Sequence, residues 1–319
     1  CPLPIWGNIS PMDGKDLCRL TVPAKAADVR YITANAGEWV ARALGSDALP
    51  FEVISALPWR RTELIANSFG QGRVYLAGDS APTMSPTGGF GMNTGMGDID
   101  NLGWKLYARL AGWGGEKLLQ SYTVERQPVA VRNSSASTQN YLALKSVQNC
   151  EKVLDPTPEG EEVRREVGKA VTTATKNEWE TLGIHLGYRY EGSPIIVGDG
   201  TQEPVDDLQT YYPTARPGHR APHAWLTGGP VYGVSTLDLF GGGFVLLRFG
   251  AEAPQVELLV AEAERRQMPL RIHDIDDPDI VKLYESRLVL VRPDGHVAWR
   301  GEELPANVSD MVDVITGVK

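Results

Sequence analysis

The stretch Tyr75–Leu106, YLAGDSAPTMSPTGGFGMNTGMGDIDNLGWKL, runs from an apolar strand through a glycine-rich turn into a helix. A strand ending in Gly78-Asp79 puts a carboxylate at the carboxyl edge of a sheet, where ligands of α/β folds lie. Asp79 there can accept a hydrogen bond from a sugar-like hydroxyl, or simply cap a turn. Pro86 stiffens the chain, and Gly88, Gly89 and Gly91 let the backbone approach a flat ligand with no Cβ in the way. Phe90 sits among them. Met92, Asn93 and Thr94 are expected in the first turn of the helix, where N–H groups lack intrahelical partners and point out at the positive end of the dipole. That end suits a phosphate, or the edge of a ring that gains negative charge. A plain glycine-rich connection is the alternative.

Outward from the turn, RVYLAG (73–78) reads as a short buried strand. The helix GMGDIDNLGWKLYARLAGW (95–113) carries an apolar stripe at Ile99, Leu102, Leu106 and Leu110. One or two helices follow over 117–148, with Pro128 at a start or a kink. Upstream, 17–24 reads as a strand and 28–45 as a helix ended by Gly45. Residues 51–69 read as a strand and then an extended segment, since Pro58 excludes a helix. Downstream, DPTPEG precedes a polar helix over 151–180, and 187–222 is rich in Pro and Gly. The last hundred residues read strand (243–250), helix (254–268), strand, short helix, a hairpin around Pro293-Asp294-Gly295, and a closing helix. That order matches the second half of a thioredoxin-like sandwich.

Composition excludes several classes. At 319 residues the chain has room for roughly two or three domains. A net charge of -9 argues against nucleic acid. No apolar run reaches the roughly 18 to 20 residues of a bilayer span, and the opening CPLPIWGNIS is no signal peptide, so a cytoplasmic protein is expected. Cys1, Cys18 and Cys150 form no CxxC and no metal-ligand spacing. His219 and His223 stand four apart, but two prolines in RPGHRAPHAW forbid a helix, so no metal site is expected. Trp59, Arg60 and Tyr75 are candidate pocket neighbours or packing residues. No side chain reads as a nucleophile, and no catalytic residue is assigned.

The pattern from Gly72 through Gly78-Asp79, Pro86 and Gly88-Gly89 to Asn93 and NLGWKL resembles the second flavin-binding motif of the FAD-dependent aromatic hydroxylases. These are the single-component flavoprotein monooxygenases of the para-hydroxybenzoate hydroxylase type. The resemblance extends to LPWRRTELIANSFGQGRV before it and LLQSYTVERQPVA after it. The segments from LGYRYEGSP to LVLVRPDGHVAWRG resemble the phenol and polyketide hydroxylase branch, which ends in a thioredoxin-like domain. The resemblance implies an α/β (α+β) fold with three parts. Residues 1–60 would end the substrate-binding sheet, 61–213 would be the C-terminal part of the FAD-binding domain, and 214–319 the thioredoxin-like domain. It implies FAD as cofactor, NAD(P)H as reductant and a small phenolic or polyketide-type aromatic as substrate, in catabolism or in biosynthesis. Asp79 would contact the ribityl chain, Pro86 the flavin wall, and Gly88, Gly89, Phe90, Gly91, Met92 and Asn93 the ring edge.

Two departures stand out. The family's opening strand and GxGxxG turn, which grip the ADP half of FAD, have no counterpart. Gly241-Gly242-Gly243 comes late and opens a strand. The central DG motif is missing as well. Pro82 also stands where the family carries His. A second chain supplying the N-terminal FAD-binding half is one expectation. Others are a flavin-free binding protein or cyclase/isomerase, and a non-catalytic assembly module. Without CxxC, the last domain is expected to be structural or to form a homodimer.

Overall fold

The computed structural model describes residues 7–46, 48–145, 147, 152–227, 233–250 and 252–319, so Cys1 and Cys150 lie outside the described residues. Two compact units form, Cys1–Thr62 with Asn140–Lys176, and Glu63–Gln139 with Asn177–Lys319.

In the first unit β1 (Asn8–Pro11) pairs antiparallel with β2 (Cys18–Thr21). The helix expected over 28–45 is divided into α1 (Val29–Ala34) and α2 (Ala36–Leu44). Asn35 causes the break by folding its side-chain amide back onto the Tyr31 carbonyl, at 2.9 Å. The strand expected after residue 50 does not form, because none of the described strands lies beside it. No described side chain from 7 to 62 is buried, and Ile54, Leu57 and Trp59 are 75%, 85% and 72% exposed. The unit's apolar cluster lies in its other part, where Val163, Val167, Val171 and Ala174 gather around Val147.

The second unit opens with β3 (Leu64–Ile65) and the hairpin β4 (Gly70–Gln71) and β5 (Val74–Tyr75). β6 (Pro82–Thr83) returns onto β3. The buried strand expected over 73–78 is thus a two-residue ribbon with Val74 exposed, since its one partner among the described strands is β4. Tyr75 packs edge-on against Tyr122 and belongs to the core.

In chain order α3 (Phe90–Leu110) and α4 (Glu116–Lys145) follow, then α5 (Pro158–Trp179), most of which belongs to the first unit, and α6 (Leu182–Leu186). Pro128 lies inside α4, which runs on through it. Of the expected apolar stripe of α3, Leu102 and Leu106 pack into the core but Ile99 and Leu110 are exposed, and the buried face is Phe90, Thr94, Asp98, Asn101, Leu102, Trp104, Lys105 and Ala108. Half of that face is polar (Thr94, Asp98, Asn101 and Lys105), and α4 meets it with Glu125, Arg126 and Asn133, all buried.

The last part follows its expected order. After the hairpin β7 (Trp225–Thr227) and β8 (Val234–Ser235) come β9 (Phe244–Phe249), α7 (Glu257–Arg265), β10 (Leu270–Ile275) and α8 (Pro278–Tyr284). β11 (Leu288–Val291), β12 (Val297–Gly301) and α9 (Val308–Ile315) close the chain. The sheet order is β10-β9-β11-β12, with β10 parallel to β9 and the other pairs antiparallel. Side-chain alternation along each strand feeds two cores. Phe244, Leu246, Leu288 and Leu290 meet α7, α9 and the tryptophans Trp104 and Trp113. Val245, Leu247, Val289 and Val291 meet α8 on the other face.

His219 joins this part through its backbone, its carbonyl accepting the Val297 N–H at 2.9 Å. Burial, reinforced by the positive charges of Arg189 and Arg216, pushes its imidazole down to about 4. The folded protein therefore leaves His219 neutral where the unfolded chain protonates it. Stability is full above the ordinary value of 6.5 and falls as pH drops towards 4. The loss expected from this group is about 3 kcal/mol. Urea unfolding from pH 7 to 4 should show a steeper decline for the native chain than for His219→Gln, and equal slopes would contradict the assignment.

Candidate functional site

The glycine turn and its flanks are held from behind by α4. The Tyr122 hydroxyl donates to the Leu76 carbonyl at 2.8 Å, and the Gln127 amide donates to the Ala66 carbonyl at 2.8 Å. Ser137 Oγ donates to the Ser85 carbonyl at 2.7 Å, while Thr87 Oγ1 donates to the Ser137 carbonyl at 2.5 Å. Pro86 is thereby fixed between two anchored residues and stands exposed. Asp79 lies in the 3-10 turn Gly78–Ser80 with its carboxylate exposed.

α3 starts at Phe90, earlier than the expected first turn at Met92 to Thr94. Its N-cap is Gly89, in the left-handed region at φ 68, and no side chain caps it. The free donors of the first turn are therefore those of Phe90, Gly91 and Met92. Thr94 is buried, its hydroxyl donating to the Phe90 carbonyl at 2.8 Å and accepting from Asn133 at 2.9 Å. Met92 and Asn93 are exposed, and the Asn93 amide folds back to the Gly89 carbonyl at 3.0 Å. Phe90 has its ring turned inward, 1% exposed, among Ala136, Ile184, Met84 and Leu208. Its side chain anchors the helix start.

The two turn glycines are constrained differently. A Cβ at Gly88 (φ 87) would stand 2.6 Å from the Phe90 ring, whereas a Cβ at Gly89 would meet nothing within 4 Å. Gly88 is required by packing from within. Gly89 leaves open space in front of unpaired N–H groups. Its surroundings suit a planar ligand with an anionic or electron-accepting edge, the Asp79 carboxylate being free for a hydroxyl.

Sequence reasoning missed the machinery behind this surface. Asp98, fully buried, accepts the Gly78 N–H at 3.1 Å and Arg126 Nε at 2.8 Å. Burial raises its carboxyl above the usual range, partly offset by Arg126. A second buried cluster centres on Glu125. It accepts from Asn101 at 2.7 Å, Lys105 at 2.6 Å, Ser193 at 2.6 Å and both terminal nitrogens of Arg292, at 2.6 and 2.9 Å. Arg292 also pairs with Asp294, which accepts the Trp104 indole N–H at 3.1 Å. Burial pushes Glu125 up, but Arg292 and Lys105 overcome it and hold the carboxyl at about 2. Burial lowers Lys105 to about 8 despite Glu125. The signal available in the sequence was the spacing of Thr94, Asp98, Asn101 and Lys105, polar residues on one helix face. Among the described residues no group of three or more His, Cys, Asp or Glu could hold a metal ion. No helix among them is long and apolar enough to cross a membrane.

Comparison with known proteins places this architecture. Residues 11–137 match an FAD binding domain, and residues 214–318 match the C-terminal domain of aromatic-ring hydroxylases. The chain is 32% identical over 299 residues to a tetracenomycin A2 monooxygenase-dioxygenase of Streptomyces glaucescens, covering 90% of this chain and 48% of that protein. It is 29% identical over 303 residues to a 2,4-dichlorophenol 6-monooxygenase of Cupriavidus pinatubonensis, covering 85% and 50%. The solved structure of the rebeccamycin biosynthetic enzyme RebC with reduced flavin aligns with a TM-score of 0.84 at 42% identity, over 98% of this chain and 56% of that one. Aklavinone-11 hydroxylase with FAD and aklavinone aligns at 0.73 and 27%, over 98% and 57%. The chain spans about half the length of the curated relatives it matches.

Proposed function

Because this chain belongs to the FAD-dependent aromatic hydroxylases, we propose that it is the part of such an enzyme that faces the flavin ring. The reaction would be NAD(P)H-dependent hydroxylation of a phenolic or polyketide-type aromatic. The observation that carries this reading is the uncapped start of α3 at Gly89, open in front and braced behind, with the Asp79 turn beside it in sequence and bonded to the same helix.

When bound, the cofactor supplies the redox and oxygen chemistry, taking reducing equivalents from NAD(P)H and passing one oxygen atom to the aromatic ring. The chain's own residues would bind and orient it. Asp79 would accept a hydrogen bond from the ribityl chain, and Pro86, held between Ser85 and Thr87, would wall one side. The free N–H groups after Gly89 would meet the pyrimidine edge, with the helix dipole favouring negative charge there. Gly88 supports this surface by leaving room for Phe90, whose ring points inward. No side chain here is assigned a catalytic proton transfer.

The remaining cofactor contacts would come from a further polypeptide segment or a second chain. Support comes from the stretch 7–62, which carries amphipathic elements and buries none of its described side chains. An amphipathic helix with no covered face gains little stability of its own. That complement would correspond to the part of the relatives' length that this chain does not span. The substrate would lie against the apolar part of 1–60, and the thioredoxin-like part, without CxxC, is structural or forms a homodimer. The place of action is the cytoplasm, where a free exposed thiol such as Cys18 stays reduced.

One observation favours a second reading. Pro82, where the family carries His, is buried and paired opposite Ile65, so it offers neither an imidazole nor an N–H. A flavin-free descendant binding or cyclising a related substrate fits that change.

FAD titration separates the two. The native chain is mixed with the portion of the tetracenomycin monooxygenase that it does not match, and absorbance is followed from 350 to 500 nm. Saturable binding that needs both polypeptides supports the hydroxylase reading. A chain that stays colourless with and without the complement, while binding an aromatic substrate, supports the flavin-free one.

A further inference from the structure

We infer that Asp98 and Arg126 are the positioning pair that sets the register of the Asp79 turn against the start of α3. The functional value of that register rests on the cofactor reading above, but its geometry does not.

Three pieces of backbone converge on this pair. Asp98 Oδ2 accepts the N–H of Gly78, the residue before Asp79, at 3.1 Å. Asp98 Oδ1 accepts Arg126 Nε at 2.8 Å, and Arg126 Nη2 donates to the Thr94 carbonyl at 3.0 Å. The turn, the first turns of α3 and the middle of α4 are thus joined by two side chains. Tyr190 completes the setting, its hydroxyl 3.4 Å from Arg126 Nη1, and Tyr188 lies face-on at 5.3 Å. Both charges are fully buried, so neither can touch a cofactor. They act through the backbone they hold.

The glycines around the pair fit the same purpose. A Cβ at Gly97 would stand 2.8 Å from Arg126 Nη2, and a Cβ at Gly95 would stand 3.0 Å from the Gly78 Cα. The GMG of residues 95–97 therefore admits the guanidinium on one side and the turn on the other. A structural role alone would need an ion pair somewhere in the helix interface. Here the carboxylate spends its second oxygen on the one amide next to Asp79. A buried pair of this kind stabilises little net of desolvation, and its best-attested use is fixing register.

The test is amide hydrogen exchange on the native 319-residue chain, with two variants. Asp98→Asn keeps the shape but sets an amide donor against either Gly78 N–H or Arg126. Gly95→Ala keeps the ion pair and pushes the turn away. Both should speed exchange at Gly78 and Ala81, and at Thr94–Asp98, at least tenfold together, while β9 and β11 keep their rates. In the chain reconstituted with its complement, both should weaken FAD binding at least tenfold and alter the visible circular dichroism of bound flavin. Unchanged exchange at Gly78 and Ala81 in both variants would overturn the inference, as would equal acceleration throughout the chain. If exchange responds as expected but the native reconstituted chain binds no FAD, the register stands and the cofactor reading fails.

Discussion

Glu125→Gln should destabilise the second unit by about 3–5 kcal/mol, the cost of removing one partner from a buried ion pair. The side chain keeps its volume, so packing is not the cause. Its new amide nitrogen would face Lys105 and Arg292, both donors, while the carboxylate they share is gone. The two cations respond differently. Lys105, already lowered to about 8 by burial, can shed its proton. Arg292 cannot, and is left with Asp294 alone. Most of the loss is therefore expected at Arg292, and Glu125→Gln with Lys105→Met should cost little more than Glu125→Gln alone. Additive losses in the double variant would contradict this coupling. With a total stability of about 5–15 kcal/mol, the single variant should unfold roughly 10 °C lower. Calorimetry of both measures it, and a Tm within 2 °C of native would refute the role of Glu125.

The same network has a sign in pH. The Glu125 carboxyl is held at about 2, below its ordinary 4.5. Its contribution is complete above 4.5 and is lost as pH falls from 4.5 towards 2. The His219 contribution is lost in a higher window, 6.5 to 4, so the two losses arrive in succession on acidification.

What was legible in the sequence was local. The C-terminal sheet could be read because β9, β10 and β11 alternate or run apolar, and Pro293-Asp294-Gly295 marks a hairpin. The glycine turn could be read because Gly88 and Gly89 both hold a positive φ, a local demand that glycine meets. Long-range polar burial could not be read. Val124-Glu125-Arg126-Gln127 looks like the solvated face of a helix, and Asp294 looks like an exposed turn residue. The Glu125, Arg126 and Asp294 side chains are nevertheless buried, because their partners lie far along the chain: Arg292 is 167 residues from Glu125, and Trp104 is 190 from Asp294. The stripe assigned to α3 held at Leu102 and Leu106, which pack into the core, and failed at Ile99 and Leu110 for the same reason. Ile99 and Leu110 obey helical spacing, but α4 presents charges, and the helix turned its polar face to meet them. The strand expected in 73–78 failed because strand propensity needs a neighbour, and β4 offers two residues.

The site itself meets its most direct test at Gly89. Alanine there would adopt φ 68 at a cost of roughly 1–2 kcal/mol, the left-handed penalty of an L-residue. Its methyl would meet no atom of the protein, since the space beyond is empty to 4 Å. A modest loss of stability, with the C-terminal sheet β9–β12 untouched, is therefore expected. If the flavin edge lies against the free N–H groups of α3, that methyl occupies its van der Waals space. FAD affinity of the reconstituted chain should then fall more than tenfold, at least about 1.4 kcal/mol. Gly89→Asn separates strain from obstruction, because Asn tolerates the left-handed region better while blocking the same space. Its stability should exceed that of Gly89→Ala, and its FAD affinity should be no better. Gly88→Ala gives the contrast. The methyl collides with Phe90, whose ring is packed on Ala136 and Ile184 and has nowhere to go. That variant should lose both stability and cofactor, whereas Gly89→Ala should lose chiefly cofactor. Native FAD affinity in both Gly89 variants, measured by titration, would remove the flavin from this turn.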